Sequence, residues 1–287
     1  MFTAKRTLHS YCYIAAVVFL LAYAFTAFQQ MHDWGGWLLA LFFLSLAIGF
    51  RGNPALKGYW YSVMILAVAS VAMYYPQYFR TIGDRQSTFF IPYLLQLIMF
   101  GMGTELSLRD FARVMRMPKG VIVGIVCHYT IMPLVGFGLA HLFNFPKEIA
   151  AGIILIGCCP SGLASNVMCY LAKANLALSV SVTTVSTLVA PFLTPLLMQL
   201  LGGSYVEINF WGMVWDITKI VILPIAAGLA FHYLLRGKLK WLDKAMPVFS
   251  MIGIALVLLV ITAAGRDNLL KVGGLLIVAT FIHNIAG

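Results

Sequence analysis

The sequence predicts an all-α protein that crosses a membrane many times. Hydrophobic residues make up 62% of its 287 residues and charged residues only 10%. Apolar runs recur from end to end, a composition typical of a polytopic helix bundle and not of a soluble domain. The first predicted partner is therefore the lipid bilayer. Ten nearly uncharged segments are long enough to be candidate spans, at about 11–28, 34–50, 58–79, 86–104, 120–146, 149–172, 174–201, 208–235, 245–265 and 272–287.

The basic residues predict orientation. A net charge of +10 would suit a nucleic-acid-binding protein, but the Lys and Arg residues occupy short connections between apolar segments, so nucleic acid is excluded. Thirteen of them fall on one side of the predicted membrane and five on the other, and the nineteenth, Lys219, lies inside a candidate span. The positive-inside rule then predicts a multi-pass protein of the cytoplasmic (inner) membrane with a cytoplasmic N-terminus. Residues 1–28 also resemble a secretory signal, although the length of the run and the span that follows favour a retained helix.

The candidate span 149–172 is interrupted near its middle. Pro160 has no amide hydrogen and clashes with the preceding turn, and Gly162 tolerates backbone angles that other residues avoid. The carbonyls of residues 156–159 therefore lose their intrahelical partners. Such groups persist at membrane depth only where they face protein, water or a bound ligand, and broken helices of this kind form the binding sites of transporters.

Several polar side chains lie at this break. Ser161, Ser165 and Asn166 follow Pro160 directly, which favours a binding site over a simple proline kink. The next predicted helix then presents four hydroxyls on one face. Hydroxyl residues also serve helix packing in membranes, so both ion coordination and packing remain open for this stripe. Its members are Ser179, Thr183, Ser186 and Thr187.

Three further polar residues lie inside candidate spans. His128 must be hydrogen-bonded, face a cavity, or take part in ion or proton movement. Asp216 and Lys219 are three residues apart and are predicted to form a structural ion pair near the membrane boundary.

An intramembrane serine-type enzyme is one alternative reading. Ser161 would be its nucleophile, with His128 or His283 as the base. The sequence contains no nucleophile motif and no orienting carboxylate at depth, so we expect that the protein is not an enzyme.

Several motifs occur together in the order and spacing of a known family. They are Gly101–Leu106, Ile131–Pro133, Gly157–Tyr170 and Ala177–Thr187, and they resemble the bile acid:sodium symporter family over about residues 58–287. The resemblance implies the inverted-repeat transporter fold, in which ten helices form two inverted five-helix repeats.

The same resemblance implies two domains. Residues 1–57 would be an added N-terminal two-helix membrane extension. Residues 58–287 would be the transporter domain, which would correspond to family helices one to eight. The last two family helices, with a glutamate-containing motif on the second broken helix, would be missing, so we expect a truncated family member.

The resemblance also implies site residues. Sodium, the expected co-transported ion and the only cofactor expected, would be held by hard neutral oxygens. Free amides and a positive helix end would face the carboxylate of the substrate. A second sodium site of the family has glutamine where this chain has His128. The implied sodium ligands are Ser165, Asn166, Ser179 and Thr183, and the implied substrate residues are Ser161, Gly162 and Leu163.

The predicted function is secondary active transport. Inward sodium flow would drive symport of a small-molecule organic anion, either a bile-acid-like steroid or a small carboxylate. A non-transporting truncated membrane protein or scaffold is the alternative, since none of the nine acidic residues is placed at the predicted break.

Overall fold

The computed structural model describes residues 2–29, 32–53, 56–106, 117–162, 165–166, 168–169, 172–235 and 240–286. In these residues the regular structure is almost entirely helical. The two strands among them, β1 (Thr81–Ile82) and β2 (Arg85–Gln86), form one short antiparallel hairpin. The predicted all-α class is confirmed.

Ten α-helices follow one another along the described chain. Two short π-helical turns adjoin them, Met198–Gly202 after α7 and Thr218–Ile222 between α8 and α9. The helices are α1 (Phe2–Phe28), α2 (His32–Gly52), α3 (Trp60–Tyr74), α4 (Ile91–Glu105), α5 (Pro118–Leu142), α6 (Lys147–Cys158), α7 (Leu176–Leu197), α8 (Phe210–Ile217), α9 (Leu223–Leu235) and α10 (Lys240–Ala286).

Several of the helices, alone or joined to the next, have the length and composition of membrane spans. Within the described residues, seven stretches are long and apolar enough to cross a bilayer. The protein is therefore a multi-pass membrane bundle, as the composition predicts. The seven are Tyr11–Phe28, Trp34–Gly52, Ser87–Thr104, Pro118–Leu142, Leu176–Gly202, Phe210–Leu234 and Val248–Ala286.

The C-terminal part differs from the prediction. The sequence predicts two separate spans, 245–265 and 272–287, but α10 runs through both as one helix, so this prediction is wrong. The connecting segment 266–271 contains neither glycine nor proline, which would cost a helix about 1 and about 3 kcal/mol respectively. Its charges also have partners: Arg266 donates to a carbonyl of α3 at 2.6 Å, and Asp267 pairs with Arg80 at 2.7 Å.

The described chain divides into two compact units. The first comprises Met1–Leu95 and Met251–Lys271. In it α1 packs along α2, and α2 packs along α3. The Tyr23 and Tyr74 hydroxyls are hydrogen-bonded at 2.9 Å, and the Trp37 and Tyr75 rings stack 5.3 Å apart. The predicted division into a 1–57 extension and a 58–287 transporter domain remains a prediction.

The second unit comprises Gln96–Ser250 and Val272–Gly287 and contains the interrupted helix. Its core surrounds α6, where Ile154 and Cys158 are fully buried. Helices α5 and α6 approach so closely that a side chain at Gly157 would collide with the Met132 carbonyl. Backbone contact of this kind needs a residue without a Cβ, and it positions the end of α6 against α5.

Candidate functional site

The predicted interruption lies where the sequence places it. Helix α6 ends at Cys158, and Cys159 is extended, with φ −72° and ψ 151°. The chain through Pro160 and Gly162 is not helical, and helical conformation returns at residues 165–166. The broken helix predicted within 149–172 is confirmed.

Side chains from two neighbouring helices satisfy the carbonyls at the break. His128 on α5 donates from Nε2 to the Cys159 carbonyl at 2.9 Å. Thr194 on α7 donates its hydroxyl to the Cys158 carbonyl at 2.7 Å. A carbonyl can only accept, so Nε2 of His128 carries a hydrogen. Of the three roles left open for His128, the structure supplies the first, a hydrogen-bonded side chain.

The hydroxyl stripe lies on α7, beside the break. Helix α7 begins at Leu176 because the Asn175 side chain accepts the Leu178 amide at 3.1 Å and so caps the helix. Thr183 and Ser186 are buried on this helix, although both are polar. Their burial requires hydrogen-bond partners, which the interrupted helix and α7 itself provide.

Three of the four implied sodium ligands are in contact. The Asn166 carbonyl oxygen accepts hydrogen bonds from the Ser179 hydroxyl at 2.6 Å and from the Thr183 hydroxyl at 3.4 Å. An amide oxygen has two lone pairs, so both are engaged. Neutral oxygens from two different segments thus converge on one point beside the break.

Ser165 belongs to a different cluster. Its hydroxyl donates to the Gly162 carbonyl at 2.7 Å and lies 3.2 Å from the Ser161 hydroxyl oxygen. It would have to turn away from Gly162 to join the oxygens around Asn166.

The residues implied in substrate binding are only partly available. The Ser161 amide donates to the Ser186 hydroxyl oxygen at 3.3 Å, so it is not free. Gly162 is exposed. Leu163 lies outside the described residues.

A cavity of about 50 Å³ adjoins the Asn166 oxygens. One part of its lining is polar, and the remainder is formed by aliphatic and Met side chains. None of the described residues that line it has a charged side chain. The lining residues are Met102, Leu106, Asn166, Val180, Thr183, Thr184, Thr187, Leu188 and Ile225.

The histidines do not support the serine-type enzyme. Nε2 of His128 is engaged with the Cys159 carbonyl, and Nε2 of His283 with the Met132 carbonyl at 3.0 Å. The Ser161 hydroxyl is paired with Ser165. A general base must reach the proton that it removes, and these hydrogen bonds direct both rings elsewhere.

The predicted ion pair on the eighth span is present. Lys219 Nζ lies 3.9 Å from the Asp216 carboxylate, and both side chains are exposed. Lys219 Nζ also lies 5.0 Å from the centre of the Trp215 ring. These contacts agree with a structural pair.

Two residues of the site have no counterpart among the sequence predictions. Thr194 binds the end of α6, and the Tyr129 hydroxyl donates to the Ser186 carbonyl at 2.8 Å. Thr194 follows Thr183 by eleven residues, or about three turns, so the stripe on α7 extends to it by helical periodicity. Nothing in the sequence distinguishes Tyr129 from the other aromatic residues of the spans.

Several relatives of this chain are named as sodium-dependent transporters or sodium cotransporters. An uncharacterized sodium-dependent transporter of Bacillus subtilis, YocS, is 40% identical over 230 residues, which are 80% of this chain and 70% of the relative. The probable sodium/metabolite cotransporter BASS1, chloroplastic, of Arabidopsis thaliana is 34% identical over 67% of this chain and 48% of its own. The ileal sodium/bile acid cotransporter of Oryctolagus cuniculus is 34% identical over 60% of this chain and 50% of its own.

The chain thus spans about half the length of the plant and rabbit relatives. The sequence model of the Sodium Bile acid symporter family matches residues 92–272, which contain the interrupted helix, the hydroxyl stripe and His128. The chain belongs to the sodium bile acid symporter family.

Proposed function

We propose that this protein is a sodium-coupled symporter of an organic anion, a bile-acid-like steroid or a small carboxylate, and not an enzyme. The observation that carries the proposal is the convergence of Ser179 and Thr183 on the Asn166 carbonyl oxygen beside a broken membrane helix. Membership of a family of sodium symporters supports it. Sodium is then a transported substrate and not a resident cofactor.

The oxygens around Asn166 suit a hard monovalent cation. Hydroxyl and amide oxygens are the ligand type that hard cations prefer. When sodium binds, the Ser179 and Thr183 hydroxyls rotate, because an oxygen cannot keep its hydrogen directed at another ligand of the same ion. Ser165 completes the set once its hydroxyl leaves the Gly162 carbonyl.

The neutrality of the cavity supports cotransport with an anion. A cation in a neutral, largely apolar cavity is costly unless an opposite charge accompanies it. The described lining supplies no carboxylate. A substrate carboxylate at the break, held by the chain from Ser161 through Gly162 to Leu163, would supply that charge and would bind best when sodium is present. His128 would face a second ion only through Nδ1, because Nε2 is hydrogen-bonded to the Cys159 carbonyl at the break.

Transport would proceed by movement of helices around this fixed site. The asymmetry of Lys and Arg along the chain supports a cytoplasmic N-terminus in the inner membrane. The lipid bilayer and the organic anion are the partners that this function requires.

The test uses the purified chain in lipid nanodiscs. Its thermal midpoint is measured against increasing NaCl at constant ionic strength, with KCl as the replacement salt. We expect a saturable rise in NaCl that Asn166→Ala abolishes. Asn284→Ala is the matched control, since within the described part of the chain Asn284 donates only to a carbonyl of its own helix. Equal midpoints in NaCl and KCl for the unmodified chain would contradict the proposal.

Uptake completes the test. Proteoliposomes with an inward sodium gradient are offered radiolabelled taurocholate and, separately, radiolabelled pyruvate. We expect accumulation of at least one anion that collapses when the gradient is removed. Sodium-independent equilibration of both would contradict symport.

A further inference from the structure

Hydroxyls of α7 form hydrogen bonds with the interrupted helix all along its break. They contact it after the break, within the break and before the break, and the partners run in the opposite direction to α7. Helix α7 is therefore a template that sets the distance between the two half-helices. The pairs are Ser179 with Asn166, Ser186 with Ser161, and Thr194 with Cys158.

Ser186 is the central member of this series. Its hydroxyl oxygen accepts from the Ser161 amide at 3.3 Å, and its hydroxyl hydrogen is donated to the Thr183 carbonyl at 3.0 Å. Its side chain is fully buried. The Tyr129 hydroxyl holds the Ser186 carbonyl at 2.8 Å. One oxygen thus joins a residue of the cation site to the backbone of the break.

We propose that Ser186 is a positioning residue that couples sodium occupancy at Asn166 and Thr183 to the conformation of the break at Ser161. The inference rests on the proposed function, because it assigns a ligand to the oxygens around Asn166. It adds the path by which that ligand would prepare the site for an anion.

The physical basis is that Thr183 forms hydrogen bonds with both Asn166 and Ser186. Its hydroxyl binds Asn166 at 3.4 Å, a long and weak hydrogen bond, while its carbonyl accepts from Ser186. A cation would draw the Thr183 hydroxyl inward and order this turn of α7. Linked hydrogen bonds polarise one another, so a better ordered Thr183 carbonyl makes the Ser186 oxygen a better acceptor for the Ser161 amide.

The experiment is hydrogen–deuterium exchange with sodium as the only probe. The full chain in nanodiscs is compared in NaCl and KCl at equal ionic strength, and the readout is the peptide that contains Ser161 and Gly162. In the unmodified chain we expect sodium to slow exchange by at least about fivefold, the lower end of coupling between two sites. In Ser186→Ala we expect sodium to raise the thermal midpoint still, but to leave exchange of this peptide unchanged.

Ser181→Ala is the matched control. Ser181 is on the same helix and fully buried, but its hydroxyl donates only to the Ala177 carbonyl of its own helix at 2.9 Å. This variant should keep the sodium-dependent slowing. A merely structural effect of losing a buried hydroxyl would act on both variants alike.

The outcomes separate the two proposals. If sodium has no effect on the unmodified chain, the proposed function fails. If sodium stabilises all three proteins and slows exchange equally in Ser186→Ala and Ser181→Ala, the coupling role of Ser186 is overturned and the function stands. Should Ser186→Ala not fold, Ser186→Cys replaces it, because sulfur fills the space but accepts weakly. Slowing in Ser186→Cys equal to that of the unmodified chain would overturn the role as well.

Discussion

Replacing Thr183 by valine should weaken sodium binding while leaving the fold almost intact. Valine keeps the branched shape of threonine and lacks the hydroxyl. The lost hydrogen bond to Asn166 is 3.4 Å long, so its contribution in the sodium-free protein is small. Ser179 is a less suitable target, because its 2.6 Å bond to the same oxygen contributes to the fold as well.

The magnitude follows from the loss of one buried ligand. Leaving a buried polar partner unsatisfied costs about 1–3 kcal/mol, which corresponds to a rise in the sodium Kd of about 5- to 150-fold. At a sodium concentration ten times the unmodified Kd, binding stabilises the folded protein by about 1.4 kcal/mol. At the same concentration the variant should gain only about 0.04–0.65 kcal/mol.

The assay is the sodium-dependent shift of the thermal midpoint in nanodiscs, with potassium replacing sodium. Thr218→Val is the control, since the Thr218 hydroxyl donates to the Val214 carbonyl of its own span at 2.7 Å. It should respond to sodium like the unmodified chain. An equal sodium response in Thr183→Val and Thr218→Val would refute the assignment of Thr183 as a ligand.

Three further predictions concern the scaffold of the site. Gly157→Ala should lower the free energy of unfolding by about 1–3 kcal/mol, because its methyl group would meet the backbone of α5, whereas Gly152→Ala on the same helix has open space and should raise it by up to about 1 kcal/mol; equal denaturation curves would contradict this. His128→Gln should keep the thermal midpoint, since its amide can still donate to the Cys159 carbonyl, while His128→Leu should lose about 1–3 kcal/mol; a stable leucine variant would remove the role of His128 at the break. Epitope tags at the N-terminus and within residues 237–241 should both be accessible only in permeabilised cells, and a tag labelled on intact cells would overturn the orientation.

The sequence predicts the break well because its cause is local. Pro160 removes a donor and Gly162 has no Cβ, and neither effect depends on distant residues. The approach of Asn166 to Ser179 and Thr183 is anticipated by helical spacing together with the family resemblance. The separate cluster formed by Ser165 is not, because the direction of a hydroxyl depends on which carbonyl is nearest in the folded chain.

The long helix α10 shows the opposite case. Charged residues between two apolar runs predict two separate spans from the sequence. Their helical conformation is decided by partners far away in the chain, among them Arg80 for Asp267 and a carbonyl of α3 for Arg266. Local propensities that differ by about 1 kcal/mol are easily overridden by such contacts.

The order of residues along the chain therefore determined the membrane environment, the helical class and the interruption of the span at 149–172, since hydropathy and backbone sterics act residue by residue. Only the tertiary structure decided how the break is held. The carbonyls that Pro160 frees accept from His128 and Thr194, which precede and follow it by about thirty residues, and the Ser161 amide meets Ser186. Buried polar groups must find partners wherever the fold brings them, and that choice is made by packing between helices and not by the order of residues along one of them.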